Sequence, residues 1–272
     1  MLSKKNTKRK RTKENAIRNI KKAEIKPILY TLKVTKCGEK YLGVRKYSEP
    51  VATNLKSKAA KRSSSSYKKK SKKSLEEKLE NRAKGNIRAQ NKVRPLILAN
   101  FDRNSKFITL TFEENITDVV EANKLLEKFK RKIKRLYPDF KFIDVVEFQE
   151  RGAVHYHMIV NIDIDKQLLE EKWGHGFVDV TEVESIHKTA NYMVKCMNKE
   201  NVDERLINKR IYHTSKNLKK PEEYIGDDAV KIVEEYLKKN KTPIFGNEYV
   251  HEYTGASVKY DLYDIMRDDS YI

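Results

Sequence analysis

Cysteine is nearly absent from this chain of 272 residues, which has only Cys37 and Cys196. Far apart and without the paired spacing of a zinc knuckle, they exclude a disulfide scaffold and suggest no metal site. They read as reduced thiols of a cytoplasmic protein. Long apolar runs are missing too, both the length that spans a bilayer and the shorter core that would follow a basic N-terminus in a signal peptide, so no membrane partner is expected. A GxxxxGKS/T phosphate loop is also missing, so any helicase activity must come from another protein. Acid is the scarcer charge. With 39 Asp and Glu against 59 Lys and Arg the formal net charge is +20, which points to a polyanion, nucleic acid first, as the lasting partner.

What is present divides the chain by composition. Residues 1–26 are dense in Lys and Arg with few large apolar residues, the make-up of a basic mobile arm. Residues 27–51 alternate apolar and polar positions around a CGEK turn, where Gly38 can supply a positive φ, and predict a small β-hairpin. Residues 52–74 hold KSKAAKRSSSSYKKKSKKS, a Ser/Lys-rich linker with too little apolar side chain to order itself by burial. From Leu75 to the end, residues 75–272, the periodicity of a folded domain takes over.

Within that domain LEEKLENRAKGNIRAQNKVR has helical spacing until Pro95 interrupts it. FITLTF then predicts a strand, and DVVEANKLLEKFKRKIKRLY a long amphipathic helix stopped by Pro138. FKFIDVVEF and AVHYHMIVNIDI predict two antiparallel strands joined at QERG, with Gly152 suited to the turn. A helix over 165–172, a strand in GFVDVTEVES and a helix in SIHKTANYMVKCMNKE follow. The order predicts an α+β fold with helices packed on one central antiparallel sheet. RIYHTSKNLKKP predicts a short strand and a basic loop. A helix near DDAVKIVEEYLKKN and a terminal strand near YVHEYTGASVKYDLY are expected to extend the same sheet.

The sharpest chemical signal is VHYHMIV. Strand side chains alternate, so His155 and His157 share a face about 6–7 Å apart along the strand, and both imidazoles can reach one cation. Glu147 ends the preceding strand, and the turn at QERG sets its carboxylate opposite the pair as a harder oxygen ligand of the kind Mn or Mg accepts. A register one or two residues different would put Gln149 or Glu150 there instead. The bland alternative, a strand histidine pair satisfied by core packing, has comparable weight for this motif alone. Tyr192 and Lys195 lie three apart on the predicted helix and share a face. In a chain with 15 tyrosines such a pair is expected by chance.

Taken in order, FITLTF at 107–112, ERGAVHYHMIV at 150–160, NYMVK at 191–195 and RIYHTSKNLKKP at 210–221 resemble the HUH endonucleases, and among them the rolling-circle replication initiators of phages and plasmids. KWGHGFVDV at 172–180 is similar to the spacer between the second and third motifs. The resemblance covers roughly residues 90–260. It implies an HUH nuclease domain of ferredoxin-like or RRM-like arrangement, a divalent metal (Mn or Mg) on His155, His157 and Glu147, and Tyr192 as nucleophile with Lys195 beside it. It also implies a nick in single-stranded origin DNA that leaves a 5′-phosphotyrosine and a free 3′-hydroxyl, with a host helicase and DNA polymerase as partners. Arg151, Lys188, Lys216, Lys219 and Lys220 are the expected DNA contacts. Where some relatives carry a second tyrosine this chain has Cys196, which implies a single-nucleophile form. A transposase or relaxase of the same chemistry, and a non-catalytic basic nucleic-acid binder, are the competing readings. Trp173 reads as a packed anchor, His175, His187, His213 and His251 as surface or structural residues, and Tyr156 and Tyr212 as the next phenols to test.

Overall fold

A computed structural model describes residues 28–52, 74–197, 202–237, 241–250 and 255–268. The expected arm over 1–26, most of the linker and His251 lie outside them. The fold is α+β, with two five-stranded antiparallel sheets and five α-helices among the described residues. In chain order these are β1 Leu29–Cys37, β2 Tyr41–Ala52, α1 Leu75–Asn100, β3 Lys106–Leu110, α2 Val119–Leu136, β4 Phe142–Phe148, β5 Val154–Val160, α3 Lys166–Trp173, β6 Val178–Glu182, α4 Ile186–Lys195, β7 Tyr212–Thr214, β8 Glu222–Ile225, α5 Gly226–Tyr236, β9 Phe245–Val250 and β10 Ser257–Asp264. None of the helices is long and apolar enough to cross a membrane.

The first sheet runs β6-β3-β5-β4-β7 and is sandwiched between helices. One face carries Tyr156, Met158, Asp144 and Val146 and is covered by α2, whose Asn123 accepts a hydrogen bond from the Tyr156 hydroxyl (2.9 Å). Phe129 of α2 meets Trp173 of α3 edge to face. The spacing that predicted α2 is visible in its buried row of Val119, Ala122, Leu126, Phe129 and Ile133, one stripe of a 3.6-residue period. The opposite face carries Glu147, His155, His157 and Thr109 and is approached by α4. The β4–β5 hairpin turns at Gly152, whose φ of +84° is one L side chains avoid. Arg205 clamps that turn by donating to the Gly152 carbonyl (2.7 Å).

Two expectations are corrected. Helix α1 does not stop at Pro95 but runs on to Asn100. The missing backbone donor is outweighed by burial of Val93, Leu96, Ile97 and Leu98 around the proline. The C-terminal strands also do not extend the first sheet, apart from β7. They join the N-terminal hairpin in a second sheet, β8-β1-β2-β10-β9. There Val34 pairs with Tyr224, and Val44 with Asp261. A two-stranded hairpin is marginal by itself. Here β1 and β2 acquire a partner on each outer edge, and α5 covers Val34, Leu42 and Val44 through Ala229. Cys37, Tyr41, Tyr260 and Leu262 from this sheet enter the same apolar core as the first.

Candidate metal and tyrosine site

The antiparallel register of β4 and β5 pairs Glu147 directly with His155, as the turn length predicts. Both imidazoles reach the same carboxylate oxygen: Oε2 of Glu147 is 2.9 Å from Nε2 of His157 and 3.3 Å from Nε2 of His155. The two Nε2 atoms are 3.1 Å apart. Glu147, His155 and His157 form a group able to hold a metal ion, with ligand atoms within 4.8 Å of one another. The triangle fits that use. Two ligands about 2.1 Å from a common ion and at right angles to each other are about 3.0 Å apart, the edge of an octahedron. Nδ1 of His155 is buried and lacks a hydrogen-bond partner. Two imidazole nitrogens turned toward each other across one oxygen make a donor set that a cation satisfies better than a shared proton. The hydrogen bonds from His155 and His157 outweigh burial and hold the Glu147 carboxyl well below the usual carboxylate range, so it is ionised and available as a ligand.

Two residues of β3 complete the surroundings, and neither was singled out from sequence. Thr109 Oγ1 lies 3.2 Å from Nδ1 of His157, and Phe107 stacks on the His157 ring at 5.6 Å between centroids. The signal for both was the alternation in FITLTF, which turns 107, 109 and 111 to one face.

Tyr192 of α4 meets this cluster directly. Its ring stands edge to face with His157 (5.5 Å, 80°) and with Phe107 (5.5 Å, 86°), yet half of it is exposed. The helix is held by burial of Ile186, Ala190, Met193 and Val194. From α1, Gln90 donates to the carbonyls of Val194 (2.9 Å) and Met197 (3.1 Å), satisfying acceptors at the helix end. Lys188, Tyr192 and Lys195 are exposed along one stripe of α4. Burial, then Cys196 and Glu147, raise the Tyr192 phenol above its ordinary value. Cys196 is buried, and desolvation followed by Glu147 pushes its thiol up to about 12.

The other expected residues are placed less uniformly. Arg151 is exposed but uses its guanidinium on the Phe112 and Glu113 carbonyls and on Gln149. Lys216, Lys219 and Lys220 are exposed, and their segment is tied to the far end of β4. Ser215 N donates to the Phe142 carbonyl (3.0 Å), and Lys219 N donates to Asn100 (2.7 Å). Phe142 and Glu147 are five residues apart on β4, about 17 Å, so these lysines are not gathered around the Glu147 group. Trp173 is the packed anchor, fully buried and donating to the Thr111 carbonyl (2.8 Å). His213 hydrogen-bonds Asp144 (2.8 Å), His187 bonds Ser185 (2.8 Å), and His175 packs on Phe112 and Trp173. Tyr156 is fully buried on the other face of the sheet, its phenol raised by desolvation.

No curated protein matches the chain. The crystal structure of the hypothetical protein ORF119 from Sulfolobus islandicus rod-shaped virus 1 is 22% identical and covers 38% of this chain and 90% of that one, with a TM-score of 0.30. A family model for replication-associated proteins of the ORF2 type matches residues 105–201. The segment from β3 through α4, carrying Thr109, Glu147, His155, His157 and Tyr192, is thus similar to a family of replication-associated proteins.

Proposed function

We propose that this protein is a replication initiator of the HUH type, a metal-dependent nickase that cuts single-stranded origin DNA with Tyr192 as its one nucleophile. The observation that carries the reading is the contact of the Tyr192 ring with His157, whose Nε2 faces Glu147 and His155. Folding brings the motif on β5 and the motif on α4 together with half of the phenol open to solvent. The match to replication-associated proteins spans both motifs.

Glu147, His155 and His157 would hold a divalent ion, Mn or Mg, which supplies polarisation and charge neutralisation to a phosphate oxygen. Thr109 accepts from Nδ1–H of His157, fixing the tautomer whose Nε2 lone pair points at the ligand position. Phe107 fixes the plane of that ring. The phenol of Tyr192 holds its proton at neutral pH and gives it up as its oxygen bonds to phosphorus. Bond formation at Tyr192 Oη is matched by cleavage of the P–O3′ bond, and the 3′-oxygen takes up a proton in exchange for the one lost. Lys195, one turn along the exposed stripe, offsets the charge of the phosphate. The 5′-phosphotyrosine conserves the phosphodiester, so a later 3′-hydroxyl reverses the step without ATP. Cys196, buried and held as a thiol, supplies no second nucleophile. The free 3′-end would prime a host polymerase behind a host helicase.

The test is a randomised pool of single-stranded oligonucleotides incubated with the protein and Mn, then run on a denaturing gel. A retarded protein band carrying DNA is expected. Its absence, or its persistence in excess chelator, overturns the metal-dependent covalent mechanism.

A further inference from the structure

Phe177 is a large apolar ring left 58% exposed at the start of β6. Single exposed apolar residues are ordinary, but this one has an address. Leu110 pairs with Val178, and Thr109 with both Asp179 and His157. One step further along these registers, Phe177, Thr111, His155 and Glu147 form a row across four strands, all on the sheet face that holds the Glu147 group. Neighbouring strands lie about 4.8 Å apart, so Phe177 sits two strands and about 10 Å from His155.

The ring's backbone is also fixed more firmly than a surface loop requires. The Phe177 carbonyl accepts from Thr111 N (3.0 Å) and from Thr111 Oγ1 (3.1 Å), and the His175 carbonyl accepts from Glu113 N (2.9 Å). Between them Gly176 lies so close to β3 that a Cβ there would be 2.5 Å from Glu113 N and 2.6 Å from Thr111 O. Phe177 walls an open cleft of about 480 Å³ together with Thr111, Glu113 and Arg151. Lys166 Nζ stands over the ring at 4.8 Å. A flat apolar surface with a guanidinium and an ammonium at its margins suits a base with its phosphate. Asp179, exposed on the same face, disfavours turning the phosphate itself toward β6.

We infer that Phe177 is the stacking platform of a nucleobase subsite, which holds an unpaired base of the DNA strand close to the phosphate presented to Tyr192. The inference rests on the nickase reading for which base is held, and on the geometry above for the subsite itself. The rigid turn and the shared row set the spacing between held base and reacting phosphate, so Phe177 acts as a positioning residue.

The test measures binding in chelator, where no strand is cut, by fluorescence anisotropy of a labelled oligodeoxyadenylate and of an abasic oligonucleotide of equal length. Phe177→Ala is expected to weaken binding of the oligodeoxyadenylate by about 5- to 100-fold and leave the abasic strand unchanged, while Phe177→Trp keeps the wild-type preference. Equal weakening of both strands, or of neither, by a Phe177→Ala protein with wild-type circular dichroism overturns the inference. Wild-type adduct formation with Mn is scored separately. A base-dependent loss in Phe177→Ala alongside no wild-type adduct sinks the nickase reading and retains the subsite.

Discussion

The hydroxyl of Thr109 lies 3.2 Å from Nδ1 of His157, on the ring nitrogen turned away from Glu147. With Nε2 given to an ion, Nδ1 must carry the proton, and Thr109 is the group that accepts it. Thr109→Val keeps the shape and removes the acceptor. Affinity for Mn, measured by titration calorimetry, should fall about 10- to 100-fold, and Thr109→Ser should recover most of it. Unchanged affinity in Thr109→Val would show that the hydroxyl does not orient the ring.

Tyr192→Phe separates the ring from its oxygen. The edge contacts to Phe107 and His157 survive, so stability should move by no more than about 0.5 kcal/mol, and salt-sensitive DNA binding should persist. The covalent product should disappear. Adduct formation by this variant would transfer the nucleophile to another phenol, and Tyr212 would be examined next, since Tyr156 is buried on the far face.

On that far face Lys130 pairs with Asp144 at 2.7 Å, both with almost no exposure, and His213 reaches the other Asp144 oxygen at 2.8 Å. Burial pushes the Asp144 carboxyl up, but the charge of Lys130 and the hydrogen bond from His213 outweigh it and hold it below its ordinary value. A carboxyl depressed by folding contributes stability that is complete above its unfolded pKa, about 3.9, and is lost as pH falls through the folded value. Urea unfolding as a function of pH should show that acid limb in the wild type and a shallower one in Asp144→Asn. Asp144→Ala, which strands a buried ammonium, should cost about 3–5 kcal/mol at neutral pH.

Gly176→Ala tests the turn that carries Phe177. The added methyl meets backbone on both sides, which cannot swing away as a side chain can. A loss of about 2–3 kcal/mol in urea unfolding is expected. A variant of wild-type stability would show that the turn has room to move.

How much of this was legible in the sequence varies with the range of the interaction. The facing of His155, His157 and Glu147 follows from a short hairpin and the two-residue period, both local, and Glu147 rather than Gln149 or Glu150 occupies the position. Helix α1 passing through Pro95 was not legible, because the burial that outweighs the lost hydrogen bond comes from other parts of the chain. Phe107 and Thr109 were hidden for a related reason: their chemistry is generic until β3 is seen beside β5. The second sheet was the least legible. Tyr47 pairs with Val258 and Leu42 with Tyr263, and no local pattern announces a partner more than two hundred positions away.

That pairing has a consequence for synthesis. When the ribosome has released β1 and β2, the strands that flank them, β8 and β10, are still untranslated, while β3 through α4 can already assemble. The early ribbon therefore waits with two unprotected margins, each a template for a neighbouring chain. Closure of that second layer, rather than assembly of the tyrosine centre, is where slow folding and aggregation of the newborn chain should concentrate.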